Sequence, residues 1–388
     1  MGRKPKALKS VEEIIPTTNI DNVSANYPKI INRRLSQIRF QLEEQKAECI
    51  CIYNGANIRY LTNFSGSEAL LFVKENELHF ITDDRYEEQV KFELYKLPNL
   101  KIHITRDPWN YLPNSGILEG VDSIAFEAEY LPYALAVEIR NIIRPVKFKP
   151  ATNMVTRFMQ SKDPEEIEFI KKSLEISEKV YKYLLEFIKP GMTEIDIATE
   201  IAYQTRKMGS EGDPSEIIVV SGNRGSQVFG NPSSKKIKKS ELIIVDFGSR
   251  VNGFGTDISR TISIGKVSKE QKNMYDTIRN AQRKAIKEVR PGMNGKHLDN
   301  LVRKTIHDAG FGENFKHTSG HGVGLQAYEN PFLTYYLNDE IVPEDAVLGI
   351  EPGIYSSDKF GIRCEEIILV KNNGGEIILP APDEIAVI

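Results

Sequence analysis

The stretch from Ile243 to Ile262, I-I-V-D-F-G-S-R-V-N-G-F-G-T-D-I-S-R-T-I, leaves a chain few ways to fold around it. An apolar, β-branched run reaches Asn252-Gly253 and returns through a second β-branched run, the pattern of a hairpin closed by a two-residue turn. With that turn, Asp246 faces Ser259 and Asp257 faces Gly248. The two aspartates then share one face of the sheet, roughly 7 to 8 Å apart along the diagonal. Carboxylates flanked by apolar residues repel one another and resist burial. A cation between them is the natural remedy.

An internal repeat extends the pattern. Lys189-Pro-Gly-Met-Thr-Glu-Ile-Asp-Ile-Ala198 recurs in outline as Arg290-Pro-Gly-Met-Asn-Gly-Lys-His-Leu-Asp299, each copy standing between two long amphipathic helices. Two halves of one domain are the better reading, because the period is far too long for a solenoid. Each half proceeds to strands carrying two acids, Asp246 and Asp257 in the first, Glu351 and Glu365 in the second. The spacings from Asp246 to Glu351 and from Asp257 to Glu365 are close to that from Lys189 to Arg290. An approximate two-fold axis would bring all four acids together. His321, in Gly320-His-Gly-Val-Gly324, adds an imidazole. This hard, oxygen-rich set suits Mn, Mg or a borderline metal such as Zn, Co or Fe rather than a thiolate site.

The whole chain sets wider bounds. Its 388 residues suffice for two ordinary domains. A formal net charge of -3 favours neither nucleic acid nor an anionic membrane surface. No apolar run approaches a membrane span, and Met1-Gly-Arg-Lys-Pro-Lys has no apolar signal-peptide core behind it, so a cytoplasmic location is expected. Cys49 and Cys51 lie on one face of an apolar strand, and Cys364 should point away from the face of Glu365. None suggests a disulfide framework. Lys235-Lys-Ile-Lys-Lys239 reads as a solvated loop, and the glycines around His321 lack the Lys-Ser/Thr ending of a phosphate loop.

Residues 1–27 read as a polar tail. From Pro28, an amphipathic helix over Arg33–Gln45 precedes strands at Cys49–Tyr53, Ala69–Val73 and Leu78–Ile81. A helix over Arg85–Leu94, strands at Lys101–Thr105 and Ser123–Glu127, and a helix over Pro132–Ile143 follow. This alternation implies a small α/β domain ending near Lys149. Asp163 and Pro164 then open a long helix that runs to about Lys189.

These residues resemble the creatinase/prolidase-like metallopeptidases. The motifs Val-Asp246-Phe-Gly, Thr-Asp257-Ile-Ser-Arg, Gly-His321-Gly-Val-Gly, Ile-Glu351-Pro-Gly and Ile-Arg363-Cys-Glu365 carry the likeness. It runs from about Arg33 to the C-terminus, and its N-terminal part, with Arg59–Gly66 and Thr82–Tyr86, points to the Xaa-Pro aminopeptidase and dipeptidase branch. The fold so implied is a small creatinase-like α/β domain over residues 28–157, followed by a pseudo-two-fold α+β pita-bread catalytic domain over residues 158–388.

The resemblance also implies two divalent metal ions, manganese first, with zinc, cobalt or iron as alternatives. Asp246 would hold one ion, His321 and Glu351 the other, and Asp257 and Glu365 would bridge them. Glu351 would move the proton of the attacking water, His317 would bind substrate near the scissile bond, and Arg363 would neutralise surplus acid and orient an aspartate. The implied substrate is a short proline-containing peptide, and a homodimer is compatible with the family. In two places the chain departs from the family pattern, with Phe229 and Tyr328 standing where active-site histidines are expected. Two alternatives therefore stay open: a metal-dependent enzyme with another small substrate, and a non-catalytic metal-binding homologue.

Overall fold

The computed structural model describes residues 27–338 and 340–388. They divide into two compact units, one ending at Met159 and the other starting at Gln160. The tail expected over residues 1–27 lies outside the described residues up to residue 26, and Tyr27 opens the first helix.

Unit 1 comprises α1 (Tyr27–Gln45), β1 (Cys49–Ile52), α2 (Gly55–Thr62), β2 (Ala69–Lys74), β3 (Leu78–Thr82), α3 (Gln89–Glu93), β4 (Leu100–Ile104), α4 (Pro108–Tyr111), β5 (Ser123–Glu127), α5 (Tyr133–Ile142), β6 (Lys147–Ala151) and α6 (Thr156–Met159). Its strands form one six-stranded sheet, ordered β4-β3-β2-β1-β5-β6. β1 runs antiparallel to β2 and parallel to β5, and all its residues are buried, as in a strand covered on both faces. Cys49 and Cys51 share a cluster with Phe72, Ile124 and Ile139.

Three local features differ from the periodicity. α2 is too short to persist alone. It forms because Asn54 caps it and the buried Glu127 carboxylate accepts from the Tyr53 and Asn54 N–H groups, both at 2.8 Å. The helix expected over Arg85–Leu94 is split, because Asp83 accepts from the Arg85 N–H and starts a single 3₁₀ turn before α3. β6 was not expected from a segment containing Pro150, but it is an edge strand, where a missing donor is tolerated.

Unit 2 continues with α7 (Pro164–Phe187), α8 (Glu194–Lys207), β7 (Ile218–Ser221), β8 (Leu242–Val251), β9 (Phe254–Ser263), α9 (Lys269–Glu288), α10 (Gly295–Asp308), β10 (Gly320–Gly322), β11 (Glu329–Leu333), β12 (Val347–Ile350), β13 (Gly353–Ser356), β14 (Phe360–Arg363), β15 (Glu366–Lys371), β16 (Gly374–Ile377) and β17 (Ala386–Val387). One sheet is ordered β17-β9-β8-β7, a second β11-β10-β12-β15-β16, and β13 pairs with β14. A capping box of Asp163 and Glu166 starts α7.

The repeat is visible in the backbone. Gly191 donates to the Ile237 carbonyl and Ile237 donates back to Met192, both at 2.8 Å; Gly292 and Val342 do the same with Met293 as the return acceptor, again at 2.8 Å. Both glycines have positive φ, +95° and +84°, a turn conformation that glycine reaches without a Cβ penalty. Thr193 then caps α8, as Asn294 caps α10. The halves diverge at the acids. The first half keeps a continuous hairpin, whereas the second is interrupted at Glu351-Pro352 and at Cys364-Glu365, leaving both glutamates in gaps between strands.

Unit 1 also contains an open depression of about 1210 Å³ whose walls include His79 and His103 but no residue of the sequence-predicted site. His79 Nδ1 lies 3.0 Å from His103 Nε2, Glu77 Oε2 lies 3.1 Å from His79 Nε2, and the Tyr111 hydroxyl lies 2.9 Å from His103 Nδ1. Burial holds both imidazoles below their usual value, His103 at about 4. The unfolded chain takes up these protons near pH ~6.5, so between there and about 4 the folded state binds fewer protons and loses stability as pH falls. Thermal melts at pH ~7.5 and ~5 should show a lower Tm at the acid end, and His103→Gln should shrink that difference. An unchanged difference in the variant would refute this assignment.

Candidate metal centre

The hairpin sets the first half of the site. Asn252 and Gly253 both have positive φ, 49° and 82°, as a two-residue primed turn requires. Glu211 fixes the turn by accepting from both N–H groups. The register pairs Asp246 with Ser259 and Gly248 with Asp257. Asp246 and Asp257 are buried on one face of the sheet.

The second half is tied to the hairpin through its backbone. The Glu365 N–H donates to the Ser259 carbonyl at 3.1 Å, and Thr261 Oγ1 donates to the Arg363 carbonyl at 2.9 Å. Gln282 of α9 donates from Nε2 to the carbonyls of Ile350 and Cys364, at 2.6 and 3.1 Å, and so holds the residues preceding Glu351 and Glu365. Glu351 is also held by its own N–H, which donates to the Ser319 carbonyl at 2.9 Å. A Cβ on Gly349 would collide with Glu365 Oε1, so only glycine leaves that carboxylate its space.

His321, on β10, donates from Nδ1 to the Gly322 carbonyl at 3.0 Å. This fixes the tautomer and leaves the Nε2 lone pair facing Asp257 Oδ2 at 3.7 Å and Glu351 Oε1 at 3.6 Å. One ligand atom from each of Asp257, His321 and Glu365 lies within 4.8 Å of the others, a group able to hold a metal ion. Arg363 closes the far side. Its Nη2 donates to Asp246 Oδ2 at 2.6 Å, its Nε to Ser259 Oγ at 2.8 Å and its Nη1 to the Val228 carbonyl at 2.8 Å. Ser259 also donates to Asp246.

The polar atoms turned inward have no partners. Asp246 Oδ1, Asp257 Oδ1, His321 Nε2 and both oxygens of Glu365 are buried without a hydrogen bond. Orphans of this kind are rare in native interiors, and here they face one another. Burial pushes the Asp257 carboxyl up to about 6, helped by the Asp246 charge and opposed by His321. Burial lifts Glu351 to about 7 and, together with the neighbouring acids, lifts Glu365 well above the carboxylate range. For His321, burial works against charge, but the Asp257 and Glu351 carboxylates outweigh it and raise its pKa. A cation among these atoms would relieve every one of these conflicts, so the residues fit a divalent metal.

A cavity of about 490 Å³ opens beside this cluster, and Phe229, Tyr328, Phe332, Glu351, His317 and His321 are among the residues that line it. His317 is neutral: burial and the nearby Arg363 charge bring it down to about 3. Its Nδ1 donates to the Thr318 carbonyl, so its Nε2 accepts from the Tyr355 hydroxyl; both contacts are 2.8 Å. The Tyr328 ring lies 4.3 Å from that of His321. Phe229 is 72% exposed, with its ring 6.4 Å from His317, so it presents apolar surface to the cavity.

The sequence reading missed Tyr355, Gln282 and Ser259 as supports. Ser259 was within reach, since the hairpin register already placed it opposite Asp246. Gln282 and Tyr355 make contacts across long sequence separations, which no local pattern reveals.

The model of metallopeptidase family M24 matches residues 168–372, and that of the creatinase/prolidase N-terminal domain matches residues 34–158. The chain belongs to metallopeptidase family M24, with a creatinase-type N-terminal domain followed by a pita-bread domain. It is 30% identical to a Bacillus subtilis protein described as an uncharacterized peptidase, over 92% of this chain and 100% of that one. Among solved structures, an Xaa-Pro dipeptidase from Bacillus anthracis superposes with a TM-score of 0.87 at 29% identity, covering 92% of this chain and 100% of that one. An X-Pro aminopeptidase from Thermotoga maritima gives 0.84 at 34% identity, covering 91% and 99%. This is the class of a peptidase enzyme.

The orphaned acids predict an unusual pair of stability effects. In metal-free protein at pH ~8, Glu365→Gln should leave Tm unchanged or raise it, because it removes a buried carboxyl whose ionisation its surroundings oppose. Saturating Mn should raise the Tm of the native chain, an effect of about 2.7 kcal/mol at a hundredfold excess over Kd, and should raise that of the variant much less. Equal shifts would remove Glu365 from the metal centre.

Proposed function

We propose that the chain is a two-metal peptidase that cleaves the bond before proline in short peptides. The observation that carries this reading is the cluster of buried acids and His321, with unpartnered oxygens on Asp246, Asp257 and Glu365 and an unpartnered Nε2 on His321, beside a cavity that Glu351, His321 and three aromatic rings help to line. Asp246, Asp257, His321, Glu351 and Glu365 are the residues that would together hold the two ions. Manganese is the first expectation for a set of four carboxylates and one imidazole, with zinc, cobalt or iron as alternatives. Bound there, the ions would lower the pKa of a water and polarise the scissile carbonyl.

The chain's own groups do the rest. Glu351 borders the cavity, takes the proton of the attacking water and passes it towards the leaving proline nitrogen. Arg363 holds Asp246 in place and offsets its charge. His317 lies where substrate approaches, locked in one tautomer by Thr318 and Tyr355. The rings of Phe229, Tyr328 and Phe332 offer the flat apolar surface that suits a proline ring. The free, buried cysteines are in keeping with a cytoplasmic enzyme.

Purified protein loaded with Mn should release the first residue from Xaa-Pro peptides, and Asp257→Asn should abolish that release. Silence across the panel with metal shown to be bound would favour a different substrate or a non-catalytic role, the reading to which Phe229 and Tyr328 give some weight. Phe229 has no polar atom, and burial and the surrounding acids hold the Tyr328 hydroxyl above its usual pKa, so neither replaces an imidazole as a proton donor. The double variant Phe229→His with Tyr328→His should therefore raise kcat by roughly 10-fold or more, given the usual contribution of such donors. A folded, metal-loaded double variant with unchanged kcat would refute that account.

A further inference from the structure

Among the described residues, those that line the substrate cavity offer a free carboxylate no cationic partner. No lysine or arginine is among its lining residues. Of the two guanidiniums beside His317, that of Arg363 is 1% exposed and directs its donors to Asp246, Ser259, Tyr355 and Val228, and that of Arg303 is held by the Asp299 carboxylate and the Phe315 and His317 carbonyls. His317 has both nitrogens committed within the protein, Nδ1 to Thr318 and Nε2 to Tyr355. The cavity's charged lining residues are acids instead, Glu351 and the exposed Glu216.

The remaining wall is apolar or neutral. Pro214, Ile218, Phe229 and Phe332 supply hydrocarbon, and Ser215 supplies a buried hydroxyl that has no partner of its own. A carboxylate moved into such surroundings loses its hydration without gaining a charged donor. A secondary amide has no such penalty. It offers one N–H and one C=O, and a hydroxyl can serve either.

From this we infer that the enzyme takes peptides whose proline carboxyl is carried on in amide linkage, so that it acts as an Xaa-Pro aminopeptidase on tripeptides and longer chains and discriminates against free Xaa-Pro dipeptides. The inference rests on the proline-directed reading above. It deepens that reading by fixing the chemical state of the group that follows the scissile bond.

The test compares Ala-Pro, Ala-Pro-amide and Ala-Pro-Ala as substrates of the full-length protein loaded with Mn. Turnover of the amide and the tripeptide at kcat/KM values at least ~10-fold above that of the free dipeptide is expected, the scale of one missing charge-assisted contact. Placing a cation on either aromatic wall, by Phe229→Arg or by Phe332→Arg, should narrow or reverse that gap. Equal or faster turnover of the free dipeptide by the native chain overturns the inference while leaving the proline-directed reading intact.

A second readout needs no turnover. Titration calorimetry should detect N-acetyl-prolinamide binding at least ~10-fold more tightly than N-acetyl-proline, two probes that differ only in the carboxyl group. Equal affinity, or preference for the acid, also overturns the inference. Absence of turnover for all three peptides together with absence of binding by either probe brings down the proline-directed reading and this one with it.

Discussion

Mutual repulsion among buried carboxylates is the constraint on which the rest of unit 2 depends. Ligand atoms of Asp257 and Glu365 lie within 4.8 Å of one another, and Asp246 and Glu351 raise the charge around them further. Two like charges at such a distance cost on the order of 3–4 kcal/mol even at an effective dielectric of about 20. A chain places such groups together only when the backbone leaves them no alternative. That explains why Gln282 donates to the main-chain carbonyls preceding Glu351 and Glu365, Thr261 donates to the Arg363 carbonyl, and the Ser319 and Ser259 carbonyls accept from the N–H groups of Glu351 and Glu365. Asp246 Oδ1, Asp257 Oδ1 and both Glu365 oxygens are left without partners.

The two halves meet this constraint differently. In the first, a continuous hairpin with a two-residue turn suffices, because its period places both aspartates on one face. In the second, the acids occupy gaps in the strands, and the clamp from α9 replaces the missing ladder. Arg363 joins the halves. It comes from the second, reaches Asp246 in the first, and shares Ser259 with it. Removing such a partner from a buried pair typically costs 3–5 kcal/mol, so this bridge is structural before it is anything else.

The legible part of the fold was the part governed by short-range rules. The Asn252-Gly253 turn fixed the register of Asp246 and Asp257 without any further information, and the paired Pro-Gly-Met segments announced two halves whose turns carry the same hydrogen bonds. The interruptions at Glu351 and Glu365 were not legible, because a strand broken at Pro352 and one broken at Cys364 share the same apolar composition as unbroken ones. α2 escaped notice because its stability comes from Glu127, on a different strand. The arrest of His317 by Tyr355 was hidden for the same reason, and it changes the view of the cavity by removing the one imidazole that could have served as a free donor there.

The hairpin register has a consequence for how such a chain can vary over time. Side chains alternate between faces with a period of two, so inserting or deleting a single residue between Asp246 and Asp257 would turn one aspartate to the opposite side of the sheet. The residues between them can change identity within the limits of packing. Their number cannot. The segment behaves as a ruler, and its length is a heritable quantity more tightly bound than almost any letter written along it.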